Sequence, residues 1–186
     1  MKTKMNLPNK LTILRVIMVP FFLAAMMIPD SLVAEPITRV VAAIIFAFTA
    51  LTDFVDGKIA RKYNLVTNFG KFMDPLADKL LVCSALVCLV SLRLLPTVVC
   101  IIIIAREFAI SGFRLVAADN GIVIAAGIWG KLKTISQMIM IIVLIADLGG
   151  IFDVIGLVLI VISTALTIIS LVDYIWANRE VLTMQD

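Results

Sequence analysis

The sequence contains no histidine. That removes a Ser-His-Asp triad, a histidine general base and a zinc site built on imidazole. Proton transfer near neutral pH falls instead to a carboxylate, Lys, Tyr or Cys. Charge is scarce as well: 16% of residues are Asp, Glu, Lys or Arg, against roughly a quarter in a soluble domain. Cysteine is limited to Cys83, Cys88 and Cys100, all in apolar runs and none in a CxxC pair. They read as reduced, buried thiols rather than a disulfide frame. Internal repeats, low-complexity tracts and linkers are missing too, so residues 1–186 read as a single domain.

Apolar side chains fill the space that charge leaves. They make up 62% of the chain, and the mean hydropathy is +1.14. This excludes a soluble or disordered chain and points to an integral membrane protein. Apolar runs near 20 residues are the unit of a spanning helix. Six are present, at about 11–29, 36–60, 73–92, 95–118, 124–146 and 152–176. Lys131 and Lys133 fall in the first turns of the fifth, which leaves its start the least defined. A membrane barrel would need alternating strands and turns instead. The expected fold is therefore all-α: a polytopic membrane protein with six transmembrane helices, preceded by a short interfacial segment over Met1–Lys10.

Basic residues orient these spans. With six crossings both termini share a side, and that side carries 14 of the 16 Lys and Arg residues; Arg39 and Arg93 lie on the other. The positive-inside rule then puts both termini in the cytoplasm of a cell-membrane protein. Residues 1–36 also resemble a cleaved signal peptide. Their apolar run is long for that purpose and Arg15 sits inside it, so they are expected to remain as the first span.

The acids carry the chemistry. Asp53, Asp56, Asp74 and Asp78 fall at the cytoplasmic ends of the second and third spans. An ionisable group at membrane depth is unfavourable by several kcal/mol unless paired, hydrated or bound to metal. Asp53, Asp56, Gly57 and Ala60 have the spacing of one helix face, and so do Gly70, Asp74 and Asp78. Two helices joined by a short loop can thus turn two carboxylate stripes towards each other. Four converging carboxylates repel and call for hard cations such as Mg²⁺, Mn²⁺ or Ca²⁺. Gly57 and Ala60 either let helices approach closely or leave room for a ligand at the metals; the spacing alone supports both.

The stretch Asp53-Phe-Val-Asp56-Gly57-Lys-Ile-Ala60-Arg61, eight residues, then Gly70-Lys-Phe-Met-Asp74-Pro-Leu-Ala-Asp78 resembles the signature of the CDP-alcohol phosphotransferase family, D-x2-D-G-x2-A-R-x8-G-x3-D-x3-D, at every fixed position and gap. Asn6-Leu-Pro8-Asn9-Lys-Leu-Thr12-Ile-Leu-Arg15 resembles the family's N-terminus. Arg106-Glu107-Phe-Ala-Ile-Ser111-Gly-Phe-Arg114 and Gly130-Lys131-Leu-Lys133-Thr134 resemble segments of its phosphatidylglycerophosphate synthase branch.

The resemblance implies transfer of a phosphatidyl group from CDP-diacylglycerol to an acceptor hydroxyl with release of CMP. By it, Asp53, Asp56, Asp74 and Asp78 would ligate Mg²⁺ or Mn²⁺, two ions per site, and Asp78 would also be the base. Asn9, Thr12, Gly57, Ala60, Arg61 and Gly70 would receive CDP-diacylglycerol; Asn9 and Thr12 are equally suited to starting and capping the first helix. Arg106, Arg114, Lys131 and Lys133 would bind the acceptor's phosphate. Arginines in an apolar stretch need an anion or an acid partner. Glu107 could satisfy one, while a phosphate could satisfy several. This favours sn-glycerol 3-phosphate as acceptor, with inositol phosphate or serine as the alternatives within the family. A divalent cation transporter is the alternative from another class. The acids cluster at one membrane edge rather than in a row across the bilayer, which opposes it. Homodimerisation is implied by the resemblance alone, and no nucleic-acid partner is expected.

Overall fold

The computed structural model describes residues 7–28, 31–62, 68–119, 121–122, 124 and 127–179; the side chains of residues 7–10, 35, 53–62, 68–75, 78 and 119 are not among those described. Every regular element within them is a helix: α1 (Leu7–Met27), α2 (Glu35–Lys62), α3 (Asn68–Ser91), α4 (Thr97–Asp119), α5 (Ile128–Ala146) and α6 (Ile151–Ala177). The fold is all-α with six helices, as the apolar runs predict. The expected interfacial segment falls partly outside the described residues; from Leu7 onward the chain already belongs to α1.

The helices end where the chain chemistry stops them. After α3, Arg93 takes a positive φ of 61°. The amides of Arg93 and Leu94 then close back on the carbonyls of Val90 and Leu89, satisfying end-of-helix acceptors. Pro96 precedes α4, where its missing N–H costs nothing. After α5, Asp147 is left-handed and its amide bonds Val143 O. Gly149 and Gly150 follow at φ 70° and 62°, a conformation glycine adopts without strain. The fifth helix begins at Ile128, not near residue 124. Gly127 is extended, with φ −65° and ψ 168°, so the apolar residues before it extend the run but not the helix.

Helices α5 and α6 are long and apolar enough to cross a membrane. The 19 residues of α5 span about 28 Å at 1.5 Å per residue, close to the roughly 30 Å of a hydrocarbon core. The apolar stretches of α1, α2 and α3 are shorter, at Leu11–Met27, Pro36–Thr52 and Lys79–Ser91. In α4 the run is interrupted by Arg106, Glu107 and Arg114.

Neighbouring helices form a closed ring in the order α1, α2, α5, α6, α4, α3, with α3 also meeting α5 across the middle. The core comprises Val19 and Phe22 of α1, Ala42 and Phe46 of α2, Leu81, Ala85, Leu86 and Leu89 of α3, Ile103 of α4, and Met140, Ile141 and Ile145 of α5. The Phe22 and Phe46 rings meet in a tilted contact, centroids 6.0 Å apart.

Polarity runs opposite to that of a soluble bundle. On α6 the buried residues are Gly156, Ile160, Ser163, Thr167, Ser170 and Tyr174, alternating steps of three and four. Leu157, Val161, Ile168 and Val172 face outward. Small and polar side chains thus form the seam, and large apolar ones form the exterior, the arrangement that suits helices packed in lipid. Gly156 allows the closest approach: a methyl placed there would lie 3.0 Å from Leu144 Cδ2 of α5.

Two observations locate the ends of the ring. Arg39, near the start of α2, pairs with Asp147 just past α5 at 3.3 Å. The opposite end holds exposed Trp129 and Trp176, the latter under Arg179 with its guanidinium 5.6 Å from the ring centroid. Cys83, Cys88 and Cys100 are reduced thiols, as expected; Cys100 is buried, whereas Cys83 and Cys88 are only half-buried, short of the burial expected for all three.

Candidate active site

The acidic signature divides between two helices. Asp53, Asp56, Gly57, Ala60 and Arg61 belong to α2 and Gly70, Asp74 and Asp78 to α3, all on helical backbone. The i, i+3 and i, i+4 spacings are therefore real helix-face relationships, α2 and α3 touch, and α1 lies against both. The side chains of these residues, and of Asn9, are not among those described. The donor chemistry still fits a hard divalent cation, since the set is all carboxylate oxygen with no soft ligand. On α1, Thr12 is buried on the same inward stripe as Arg15, Val19 and Phe22.

The side chains of Arg106, Glu107, Arg114, Lys131 and Lys133 are all among those described. Arg106 and Lys133, only 8% and 2% exposed, come from α4 and α5. Both reach the same carboxylate oxygen, Oε1 of Glu107: Lys133 Nζ bonds it directly and Arg106 Nη1 lies 3.4 Å away. Consecutive residues on a helix point in different directions, so the Arg106–Glu107 contact is the looser of the two. Arg106 is also held from α6, where its Nε donates to Ser170 Oγ at 3.3 Å. Ser170 in turn donates to Thr167 O at 3.0 Å. Gly130 of α5 lies alongside; a methyl there would come 3.5 Å from Arg106 Nη2.

A further chain of contacts reaches α3. Ser111 Oγ donates to the Glu107 carbonyl at 2.7 Å and accepts a hydrogen bond from Lys79 Nζ. Lys79 directly follows Asp78 in sequence. Two residues beyond Ser111, Phe113 meets Tyr174 edge-on, centroids 5.7 Å apart. Tyr174 Oη, Gln137 Oε1 and Ser163 Oγ are buried with no hydrogen-bond partner among the described residues. Unsatisfied polar atoms of this kind mark a wet or ligand-lined interior.

Of the four expected phosphate-binding cations, the structure unites Arg106 and Lys133. Arg114 instead donates through Nη2 to the Ile124 carbonyl at 3.2 Å in an exposed position. Lys131 is exposed on the outer side of α5. Sequence reasoning missed Lys79 and Ser170. The signal for Ser170 was the run of hydroxyls at positions 163, 167 and 170 in an otherwise apolar span; for Lys79 there was none beyond its place beside Asp78. Two buried cations meet on one carboxylate, and guanidinium and ammonium donors gathered in this way suit a phosphate.

Residues 5–170 match the family model described as CDP-alcohol phosphatidyltransferase. The chain belongs to this family. Among its relatives, a CDP-diacylglycerol–glycerol-3-phosphate 3-phosphatidyltransferase of Bacillus subtilis is 49% identical over 72% of this chain and 73% of its own length. One of the same name from Rickettsia felis is 38% identical over 97% of this chain and 99% of its own. A third, from Haemophilus influenzae, is 38% identical over 92% of each. These matches reach beyond the acidic signature to the cationic half of the site.

Proposed function

We propose that this family member transfers a phosphatidyl group from CDP-diacylglycerol to sn-glycerol 3-phosphate, forming phosphatidylglycerophosphate and releasing CMP. The observation that carries the reading is the match, along nearly the whole chain, to relatives bearing that enzyme's name. The buried Arg106–Glu107–Lys133 cluster supports it, because a phosphate monoester is the anion that guanidinium and ammonium donors suit. Neither inositol nor serine would bring a phosphate to it.

The acceptor's hydroxyl oxygen attacks the β-phosphorus, a new P–O bond forms and the pyrophosphate P–O bond breaks. Asp78 takes the hydroxyl proton, and CMP leaves with the bonding electrons. Asp53, Asp56, Asp74 and Asp78 would hold Mg²⁺ or Mn²⁺, two ions per site, which would supply charge neutralisation for the pyrophosphate and the leaving group. Phosphoryl transfer depends mainly on such positioning and charge neutralisation. Arg61 contacts the donor's phosphates, Gly57, Ala60 and Gly70 leave room for its nucleotide, and Asn9 and Thr12 line that pocket. Arg106 and Lys133 orient the acceptor, with Arg114 and Lys131 nearer its entrance.

All six helices cross the cell membrane in this reading, with both termini and the site on the cytoplasmic side. The short turn between α5 and α6, the inverted polarity of α6 and the concentration of basic residues on one side of the expected spans support it. The active form is a homodimer. The test is CMP release by purified protein in detergent with CDP-diacylglycerol and one acceptor at a time: glycerol 3-phosphate, inositol 1-phosphate, inositol or serine. Release with glycerol 3-phosphate alone is expected. Release only with another acceptor overturns the acceptor assignment, and failure with all four from folded protein overturns the enzyme reading.

A further inference from the structure

We infer that Glu107 is a positioning residue for the acceptor: its carboxylate holds the Arg106 guanidinium and the Lys133 ammonium, borne on different helices, at one point and so sets the spacing at which they meet a phosphate. The inference rests on the proposed acceptor site and deepens it.

The geometry leads there in steps. Lys133 is 2% exposed and Arg106 8%, so neither charge is relieved by bulk water. Lys133 lies five residues inside α5 and Ser170 seven residues inside the end of α6, depths of about 8 and 10 Å at 1.5 Å per residue. Two cations at such a depth repel each other unless an anion lies between them. Among the described residues the carboxylate in contact with both is Glu107. Its 18% side-chain exposure leaves the cluster open to solvent on that side. Its backbone is fixed in turn, since its carbonyl accepts from Ser111, which Lys79 of α3 holds.

The placement also bears on ligand binding. Glu107 sets one negative charge against both cations, which holds them together before a ligand arrives. An arriving phosphate meets an arranged pair of cations instead of two side chains that must first be collected, and such preorganisation appears as affinity. Without the carboxylate, the Lys133 ammonium loses the contact that brings it to Arg106. Among the described residues the guanidinium then keeps Ser170. Weaker acceptor binding is the consequence, although the local charge has become more positive.

The experiment is steady-state kinetics in detergent micelles, varying glycerol 3-phosphate and CDP-diacylglycerol separately, with a melting curve for each protein. Glu107→Gln is expected to raise KM for glycerol 3-phosphate by about tenfold, to lower kcat by less than about threefold and to leave KM for CDP-diacylglycerol nearly unchanged. Glu107→Asp, which keeps the charge but shortens its reach, should fall between it and wild type; if Glu107→Gln does not fold, Glu107→Asp alone decides by the same split. Lys133→Met should raise the same KM, and Glu107→Gln with Lys133→Met should be no worse than the poorer single variant, since the two act as one unit. An unchanged acceptor KM in Glu107→Gln, while Lys133→Met and Arg106→Lys raise it, overturns the role of Glu107 and leaves the acceptor site standing. Unchanged acceptor KM in all of them overturns both. Equal loss in kcat and in both KM values makes Glu107 merely structural and also overturns the inference.

Discussion

Lys79 of α3 donates a hydrogen bond to the hydroxyl of Ser111 of α4. The first residue adjoins Asp78 of the acidic signature, and the second lies between Arg106 and Arg114. This one contact therefore ties the helix that carries two of the acids to the helix that carries two of the cations. In the proposed reaction, the distance between those halves is the distance between donor and acceptor.

Ser111→Ala removes that tie. A typical hydrogen bond contributes about 0.5–1.5 kcal/mol, so for a chain of this size the melting midpoint should fall by about 2–5 °C. Turnover should fall severalfold, because a small misplacement of reacting groups is expensive in rate. Ser111→Thr, which keeps the hydroxyl, should restore most of it. Melting curves and CMP release on the three proteins check this; full activity in Ser111→Ala would refute the coupling.

Gly130 sets how much room Arg106 has. A methyl at this position meets Arg106 Nη2 at 3.5 Å, an ordinary van der Waals distance. Gly130→Ala should therefore keep activity within about twofold of wild type. Gly130→Leu must displace the guanidinium, since well-packed interiors have no space for a four-carbon side chain, and should raise KM for glycerol 3-phosphate by about tenfold. Equal kinetics for the two variants would show that Arg106 is not where the acceptor binds.

The acids predict a metal requirement. Treatment with a chelator should abolish CMP release, and Mg²⁺ or Mn²⁺ should restore it. Asp74→Asn should lower kcat by about 100-fold or more, since it removes a ligand charge from a site whose chemistry is charge neutralisation. Metal-independent turnover would discard the assignment of Asp53, Asp56, Asp74 and Asp78.

Gly156 tests the seam between α5 and α6. An alanine there gains about 1 kcal/mol in helix propensity but forces the Leu144 methyl, 3.0 Å from the new carbon, to yield slightly. Leu144 Cδ2 is the free end of a flexible side chain, so the two effects should nearly cancel and leave the midpoint within about 2 °C. Gly156→Leu cannot be absorbed in this way and should lose about 1–3 kcal/mol. A large drop for alanine would mean that the helices lie closer than described.

How far the sequence alone reached depends on the physical property concerned. Hydrophobic run length reports directly on each helix, so all six were legible to within a few residues. The largest differences were at helix starts: α1 and α3 begin four and five residues before their apolar runs, and α5 four residues after its own, where Gly127 delays the helix. The meeting of Arg106 and Lys133 was legible as a class of contact, because buried cations need an anion. What could not be read was which helix lies beside which. A helical sequence shows which face is small and polar, as Ser163, Thr167 and Ser170 do, but not that Arg106 of α4 is what Ser170 will meet. The separate fates of Lys133 and exposed Lys131, two residues apart, depend on the same missing information.

The turn between α5 and α6 also bears on how the chain is assembled. Asp147, Gly149 and Gly150, all at positive φ, reverse the chain over four residues between the two helices that are long and apolar enough to span a membrane. These helices are synthesised after the other four. In the proposed membrane topology, a reversal this short lets them leave the insertion machinery as one hairpin, packed along the seam where Gly156 of α6 meets Leu144 of α5. The hairpin also arrives with its own latch, since the aspartate that turns the chain is the residue that pairs with Arg39 of α2.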